Sequence, residues 1–335
     1  MRESELEILE QYPIEAESTR KIRGAFFINT KEGTMLLKET KISDRRALLF
    51  YTLLCQLEES GKYVDTPILN SENKLISTTR DGSRYLLKKW YDGRECEVRR
   101  EADVLMAAEN LAHLHLDMKW RDICSVEEKH EIRPPAGRHL KEEMICHNRE
   151  LKKVRAFVRK RVNKGTFEAM YLKSFEQMYE TGKAVEERLA NSKYDELYKS
   201  SVEEGLLIHG DYNYHNVLLL PQKVVTTNFE HFRRDVQVLD LYYFLRKVME
   251  KHRWSVALGN EILSRYNSVR TLQKEELEYI ALKIAYPEKF WKIVNAYYHS
   301  NKAWMPEKNV EKLELAVAQN QEKLRFLEVI FDFRL

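Results

Sequence analysis

The chain has 335 residues, long for one hydrophobic core, so two domains or lobes are expected. Hydrophobic residues at 43% can build large cores and exclude wholesale disorder, while 56 Lys and Arg against 53 Asp and Glu leave a net charge of +3 and no compositional case for nucleic-acid binding. With 11 glycines and 7 prolines, the chain should be rich in helices, poor in tight turns and short of glycine for a phosphate-cradling loop.

The first residues carry charges at Arg2, Glu3, Glu5, Glu7 and Glu10, so they lack the apolar core of a signal peptide. No run approaches the ~18 apolar residues of a membrane span. Cys55, Cys96, Cys124 and Cys146 form no C-x-x-C pair, which reads as single thiols in a reducing compartment and implies synthesis in the cytoplasm.

Leu6, Leu9 and Tyr12 predict a short amphipathic helix over 1–12. Ala25–Ile28 and Met35–Lys38 flank a turn with Gly33 and predict a hairpin. Ser43 can cap a helix running to about Ser60, with Gly61 at its end. A second hairpin follows, Lys74–Thr79 and Arg84–Tyr91 around Asp81-Gly82. The character then changes. Helices are expected over 97–118, 149–163 and 167–200, with an irregular stretch over 120–148. A short strand region spans about 206–229. Nearly everything from Val238 onward reads as helix, broken near Gly259, Pro287 and Pro306. The expected architecture is α+β. A small antiparallel-sheet lobe covers 1–91, and a large, mostly helical lobe covers 92–335 with a hairpin at 206–230.

The informative segment is Leu206-Leu207-Ile208-His209-Gly210-Asp211, with Asn216 five residues after the Asp. Pro221-Gln222-Lys223 can turn the following strand back toward Asn228-Phe229-Glu230, so Asp211, Asn216 and Asn228 should converge. Phosphoryl transfer needs such convergence. One carboxylate positions the acceptor hydroxyl, oxygen ligands hold Mg²⁺ against the phosphates, and a strand lysine steadies the nucleotide. Lys38, after Leu36-Leu37, stands where that lysine should be.

These segments resemble the protein-kinase-like superfamily in its aminoglycoside and choline phosphotransferase branch. With Trp90–Glu95, Leu111-Ala112-His113-Leu114-His115, Asp240–Val248 and Tyr286-Pro287-Glu288-Lys289-Phe290-Trp291-Lys292, the chain resembles the CotS/CotI-type spore-coat proteins. The resemblance implies a two-lobed protein-kinase-like fold. It implies Asp211 as catalytic base, Asn216 as metal ligand and Lys38 at the nucleotide phosphates. Lys89, Trp90 and Tyr91, in the hinge 88–91, would border the adenine. Asp240 would brace the catalytic loop, and His209 would shape it.

Three departures bear on activity. Asn228 stands where the family has its main Mg²⁺-binding Asp, and Glu230 is the one available rescue if a continuing strand places it on the same face. No glycine-rich loop precedes Gly24, where Arg20, Lys21 and Arg23 form a basic turn. The helix after Ser43 has no acid in its centre to pair with Lys38. ATP and Mg²⁺ are the implied cofactors, with Mg²⁺ held weakly. The basic run 152–161 reads as a solvated helix face, or as a docking face for an acidic coat component. The aromatics Phe290, Trp291, Tyr297, Tyr298 and Trp304 read as helical core. The expectation is therefore a coat kinase-like protein with a degraded Mg²⁺ site, made in the mother cell and acting among other spore-coat proteins. The alternatives are an active small-molecule phosphotransferase and a nucleotide-binding switch.

Overall fold

The computed structural model describes residues 7–22, 24–120, 133–300 and 307–335. Leu6, Arg23, Cys124, Trp304 and Pro306 lie outside the described residues. By compactness the chain divides into two units, one made of 1–135 with 204–234 and one of 136–203 with 235–335.

The first unit is built on a five-stranded antiparallel sheet. Its strands are β1 (Ala16–Ile22), β2 (Ala25–Thr30), β3 (Gly33–Glu39), β5 (Ile76–Thr78) and β6 (Arg84–Lys89), in the order β1-β2-β3-β6-β5. Both hairpin expectations hold, and Gly82 turns the second at φ +88°. Helix α1 (Asp44–Glu59) starts where Ser43 accepts the Arg46 N–H at 3.2 Å. β1 was not expected. It is exposed along its whole length, so no apolar alternation marks it. The basic turn is thereby corrected: Arg20 and Lys21 lie on this strand, over the rings of Phe27 and Phe26.

Period-two alternation gives the sheet two faces. Phe26, Ile28, Met35, Leu37, Tyr85 and Leu87 close a core with Ile8, Leu9 and Tyr12. Leu36, Lys38, Leu86 and Lys88 therefore point to the opposite face. The register sets Lys38 beside Leu86 and Leu36 beside Lys88.

A second sheet has the order β4-β10-β9-β7, from β4 (Tyr63–Val64), β7 (Arg94–Glu95), β9 (Val217–Leu220) and β10 (Lys223–Thr226). β4 pairs parallel with β10. β8 (Leu207–Ile208) pairs with β11 (Arg233–Arg234). Helix α2 (Glu101–Asp117) holds the loop between β8 and β9. The buried Tyr212 hydroxyl donates to the Ala107 carbonyl at 2.7 Å, and Asn110 reaches both Tyr212 Oη and Thr226 Oγ1.

The second unit is helical: α3 (Leu140–Lys160), α4 (Thr166–Ala190), α5 (Tyr194–Glu203), α6 (Val238–Met249), α7 (Val256–Asn267), α8 (Lys274–Ala285), α9 (Glu288–Tyr298), α10 (Glu307–Ala318) and α11 (Asn320–Phe331). Leu151, Val154 and Val158 form the buried stripe of α3 and pack with Phe167, Tyr171, Phe175, Phe290 and Tyr297. Two boundaries differ from expectation. α3 begins at Leu140, inside the stretch read as irregular, and the expected helix over 167–200 is broken between Ala190 and Tyr194. Gly259 does not break α7. A Cβ there would collide with the Phe326 ring, so this glycine serves close helix packing. Within the basic run, Arg155 pairs with Glu176, and Lys152 lies over the Tyr179 ring. Among the described residues, no helix is long and apolar enough to cross a membrane.

Candidate functional site

A cavity of about 350 Å³ in the first unit is lined by residues that include Lys38, Lys88, Asp211, Asn216, Asn228 and Glu230. Five of the eight residues singled out from sequence are thus brought together. Lys89, Trp90 and Tyr91 are not among the lining residues. Lys89 pairs with Glu58 at 2.8 Å, and its backbone N–H donates to the Thr66 carbonyl. The Trp90 N–H donates to the Thr34 carbonyl, and its ring meets Phe27 edge-on. Burial, then the carboxylates of Glu58 and Asp65, push the Tyr91 phenol up to about 12.

The loop carrying Asp211 is set by His209 and Gly210. His209 is fully buried. Its Nε2 donates to the Thr227 carbonyl at 2.9 Å, which leaves Nδ1 to accept the Asp211 N–H at 3.1 Å. That arrangement is a brace, as expected for this histidine. Gly210 has φ +82°, and a Cβ there would collide with the His231 carbonyl oxygen.

Hydrogen-bond logic fixes the amides. The Asp211 carboxylate only accepts, so Asn216 turns its NH₂ toward it, bonding Asp211 Oδ2 at 3.1 Å and the Asp211 carbonyl at 2.8 Å. Asn216 Oδ1 then faces Asn228, which must present its own NH₂, at 2.9 Å. The expected approach of Asn216 and Asn228 is present, and it is a closed hydrogen bond.

Glu230 reaches the cavity by a different route from the one expected. β10 ends at Thr226. Asn228 takes a left-handed conformation (φ 65°, ψ 53°), which asparagine tolerates, and a 3₁₀ turn over Phe229–His231 follows. No continuing strand places Glu230. Arg46 holds the turn by donating to the carbonyls of Glu230 and Phe232 and lying over the Phe232 ring. The helix that lacks a central carboxylate for Lys38 supplies a cation to this turn instead.

Two residues of the site were missed from sequence. Lys88 is 0% exposed, donates to Asp65 Oδ2 at 3.0 Å and to Glu230 Oε1 at 2.7 Å, and lies over the Phe50 ring. Asp65, also fully buried, accepts the Asn228 backbone N–H at 3.0 Å as well. Lys38 is nearly half exposed and lies 3.7 Å from Glu230. Burial pushes the Asp65 carboxyl above its ordinary range, against the opposing pull of Lys88. Burial pushes Glu230 the same way, but Lys88 and Lys38 outweigh it and hold the carboxyl down to about 2. The alternation of Leu86 and Lys88 against Leu87 was the available sign that Lys88 shares a face with Leu86. Nothing local marks Asp65.

The oxygens expected to hold a divalent cation are partly engaged within the protein in this arrangement. Asn216 Oδ1 is taken by an amide, Asn228 presents nitrogen, and Glu230 is held by two ammonium groups.

The family described as "Spore coat putative kinase YutH" matches residues 5–330. No curated protein sequence matches the chain. Among solved structures, an aminoglycoside phosphotransferase from Alicyclobacillus acidocaldarius is similar, with 17% identity, TM-score 0.83, and coverage of 97% of this chain and 94% of that one. Spectinomycin phosphotransferase APH(9)-Ia, solved with ADP and spectinomycin, has 12% identity, TM-score 0.64, and coverage of 95% and 97%. The amicoumacin kinase hAmiN, solved with AMP-PNP, Ca²⁺ and Ami, has 13% identity, TM-score 0.61, and coverage of 96% and 94%. At these identities the likeness carries the fold. With its antiparallel sheet, its His209-Gly210-Asp211 loop and its helical remainder, the chain belongs to the YutH family of kinase-like spore-coat proteins and has the two-lobed fold of the aminoglycoside-phosphotransferase branch of the protein-kinase-like superfamily.

Proposed function

We propose that this protein acts in the spore coat mainly as a structural and interaction component, on a kinase-like fold whose metal site no longer supports phosphoryl transfer. It would be made in the mother cell and assembled with other coat proteins. The observation that carries this reading is the closed chain Asp211–Asn216–Asn228, together with the capture of Glu230 by Lys88. Mg²⁺ beside a triphosphate relies on carboxylates, and here Asn216 Oδ1, both Asp211 carboxylate oxygens and Glu230 Oε1 already have partners inside the protein. Asp211 keeps the position of a catalytic base, Asn216, Asn228 and Glu230 those of metal ligands, and Lys38 that of the phosphate lysine. The reading retires the set as a phosphotransfer centre.

A second reading, nucleotide binding without transfer, is favoured by the 350 Å³ cavity and the half-exposed Lys38 at its edge. Neighbours of the same fold were solved with ADP or AMP-PNP. Lys89, Trp90 and Tyr91 would border the base.

Thermal unfolding with and without ATP and Mg²⁺, for the natural chain and Asn228→Asp, separates these readings, because a ligand of the folded state raises the midpoint. In Asn228→Asp two acceptor oxygens face each other where one amide–amide hydrogen bond now stands, so the variant should melt lower alone and recover with Mg²⁺ and ATP. No shift in the natural chain supports the structural role. A shift with ATP alone supports metal-free nucleotide binding. A Mg²⁺-dependent shift with ATP consumption in the natural chain overturns the proposal.

A further inference from the structure

The helical unit contains a second built cavity, which the phosphotransfer site does not explain. Of the segments singled out in the sequence, Tyr286–Lys292 supplies five of its lining residues and Asp240–Val248 supplies Arg246, together with the start of α11. It is a cavity of about 40 Å³, roughly three times the ~10–15 Å³ that one water needs. That suits a phosphate group and is too small for a nucleotide.

Its polar groups are mismatched. Arg246, Lys289 and Lys323 face Glu250 and Glu288. Both carboxylates are already claimed. Glu250 is bound by Arg246 at 2.7 Å and Lys289 at 3.2 Å. Glu288 is bound by Lys283, Lys292 and the Tyr242 hydroxyl. Lys323 reaches a backbone carbonyl, that of Ala285, at 3.2 Å. Two further donors, Arg246 Nε and Asn320 Nδ2, are buried with no hydrogen-bond partner, on residues only 9% and 4% exposed. A buried donor without a partner can be satisfied by a bound water or anion. Here two of them belong to residues that line one cavity, together with a surplus cation.

We propose that this cavity binds the phosphate group of a small ligand, free phosphate or a short phosphomonoester, with Arg246 Nε, Asn320 Nδ2 and Lys323 Nζ as donors. These donors come from α6 and α11, so a tetrahedral oxyanion can use them from more than one side. The bound anion supplies the acceptors the donors lack and balances Lys323. Burial, with Arg246 adding to it, pushes the Lys323 amine down to about 8 against the pull of Glu250, as expected for a cation whose counter-ion is absent. The proposal is independent of the reading of the other unit.

The test is calorimetric titration of the full chain with inorganic phosphate, glycerol 1-phosphate and acetate at matched ionic strength. The natural chain and Lys38→Met, altered only in the other unit, should bind one phosphate group equally. Lys323→Met and Asn320→Leu, which remove one donor each, should bind at least tenfold more weakly. The tighter of the two phosphate ligands tells whether the group arrives free or esterified. No binding by the natural chain, retention in both α11 variants, loss in Lys38→Met, or acetate binding as tightly as phosphate would overturn the proposal. Should one α11 variant fail to fold, the other decides.

Discussion

Removing the ammonium of Lys88 tests the site where its geometry is tightest. In Lys88→Met the carboxylates of Asp65 and Glu230 stay in place and lose the cation between them. At an effective dielectric of ~20, contacts of 3.0 and 2.7 Å are worth roughly 5 and 6 kcal/mol. Desolvation of the lysine takes back several kcal/mol, so the net cost should be about 3–5 kcal/mol, the usual range for breaking a buried pair from one side. Hydrogen exchange on peptides from β6 and β9–β10 reads this as local opening, about a hundred- to several-thousand-fold more frequent. The pH sign is fixed. Without Lys88 the folded-state pKa values of both carboxyls rise, so the deficit is full at neutral pH and shrinks on acidification, as the two groups become neutral in the folded state. Asp65→Asn with Glu230→Gln in the same background should restore more than half the loss. A cost below about 1 kcal/mol, or an equal cost at pH 4 and pH 7, would refute the description of Lys88 as the centre of a buried ion triad.

The remaining expectations are simpler. Gly210→Ala should destabilise the first unit by more than the ~1 kcal/mol of an ordinary glycine replacement, because the new methyl meets the His231 carbonyl; denaturant unfolding measures it, and a neutral result would contradict the loop geometry. Gly259→Ala should lower the melting midpoint of the helical unit by overpacking against Phe326, although alanine is the better helix former. Lys323 carries its full penalty below about pH 8, and the penalty fades toward the unfolded value of 10.5, because in that window the unfolded chain binds the extra proton. Without added phosphate, Lys323→Met should therefore be more stable than the natural chain below pH 8, by up to about 3 kcal/mol, with the difference closing as pH rises. A constant difference across that window would disprove the shift.

Local signals in the sequence carried well. The Ser43 cap, the Asp81-Gly82 turn and the His209-Gly210-Asp211 loop with Asn216 each depend on neighbours a few residues away, and each stands in the fold as expected. Features decided by distant partners did not. β1 exists because β2 pairs with it, and its exposed side chains leave no pattern to read. Gly259 stays helical because Phe326, 67 positions on, needs the space. The sequence marks Lys88 only as the start of the hinge 88–91. Alternation along β6 puts Lys88 on the face of Leu86 and Lys89 on the other, but which face is covered is decided by the distant partners Asp65 and Glu230. The Glu230 position was anticipated for the wrong reason, since a left-handed Asn228 and a tight turn do what a strand was expected to do.

The parallel pairing of Tyr63–Val64 with Val225–Thr226 has a consequence for biosynthesis. The sheet-bearing unit is discontinuous, and its last piece, 204–234, follows a long helical insertion. A nascent chain that has emerged as far as Pro135 must wait for 99 further residues (234 − 135) before β9, β10 and β11 can close the unit, on the order of 5–20 s at ribosomal rates of ~5–20 residues per second. During that interval the backbone edge of Tyr63–Val64 and the apolar side of α2 lack their partners, so translation speed and chaperone access across 136–203 should govern how much of the protein reaches its assembled form.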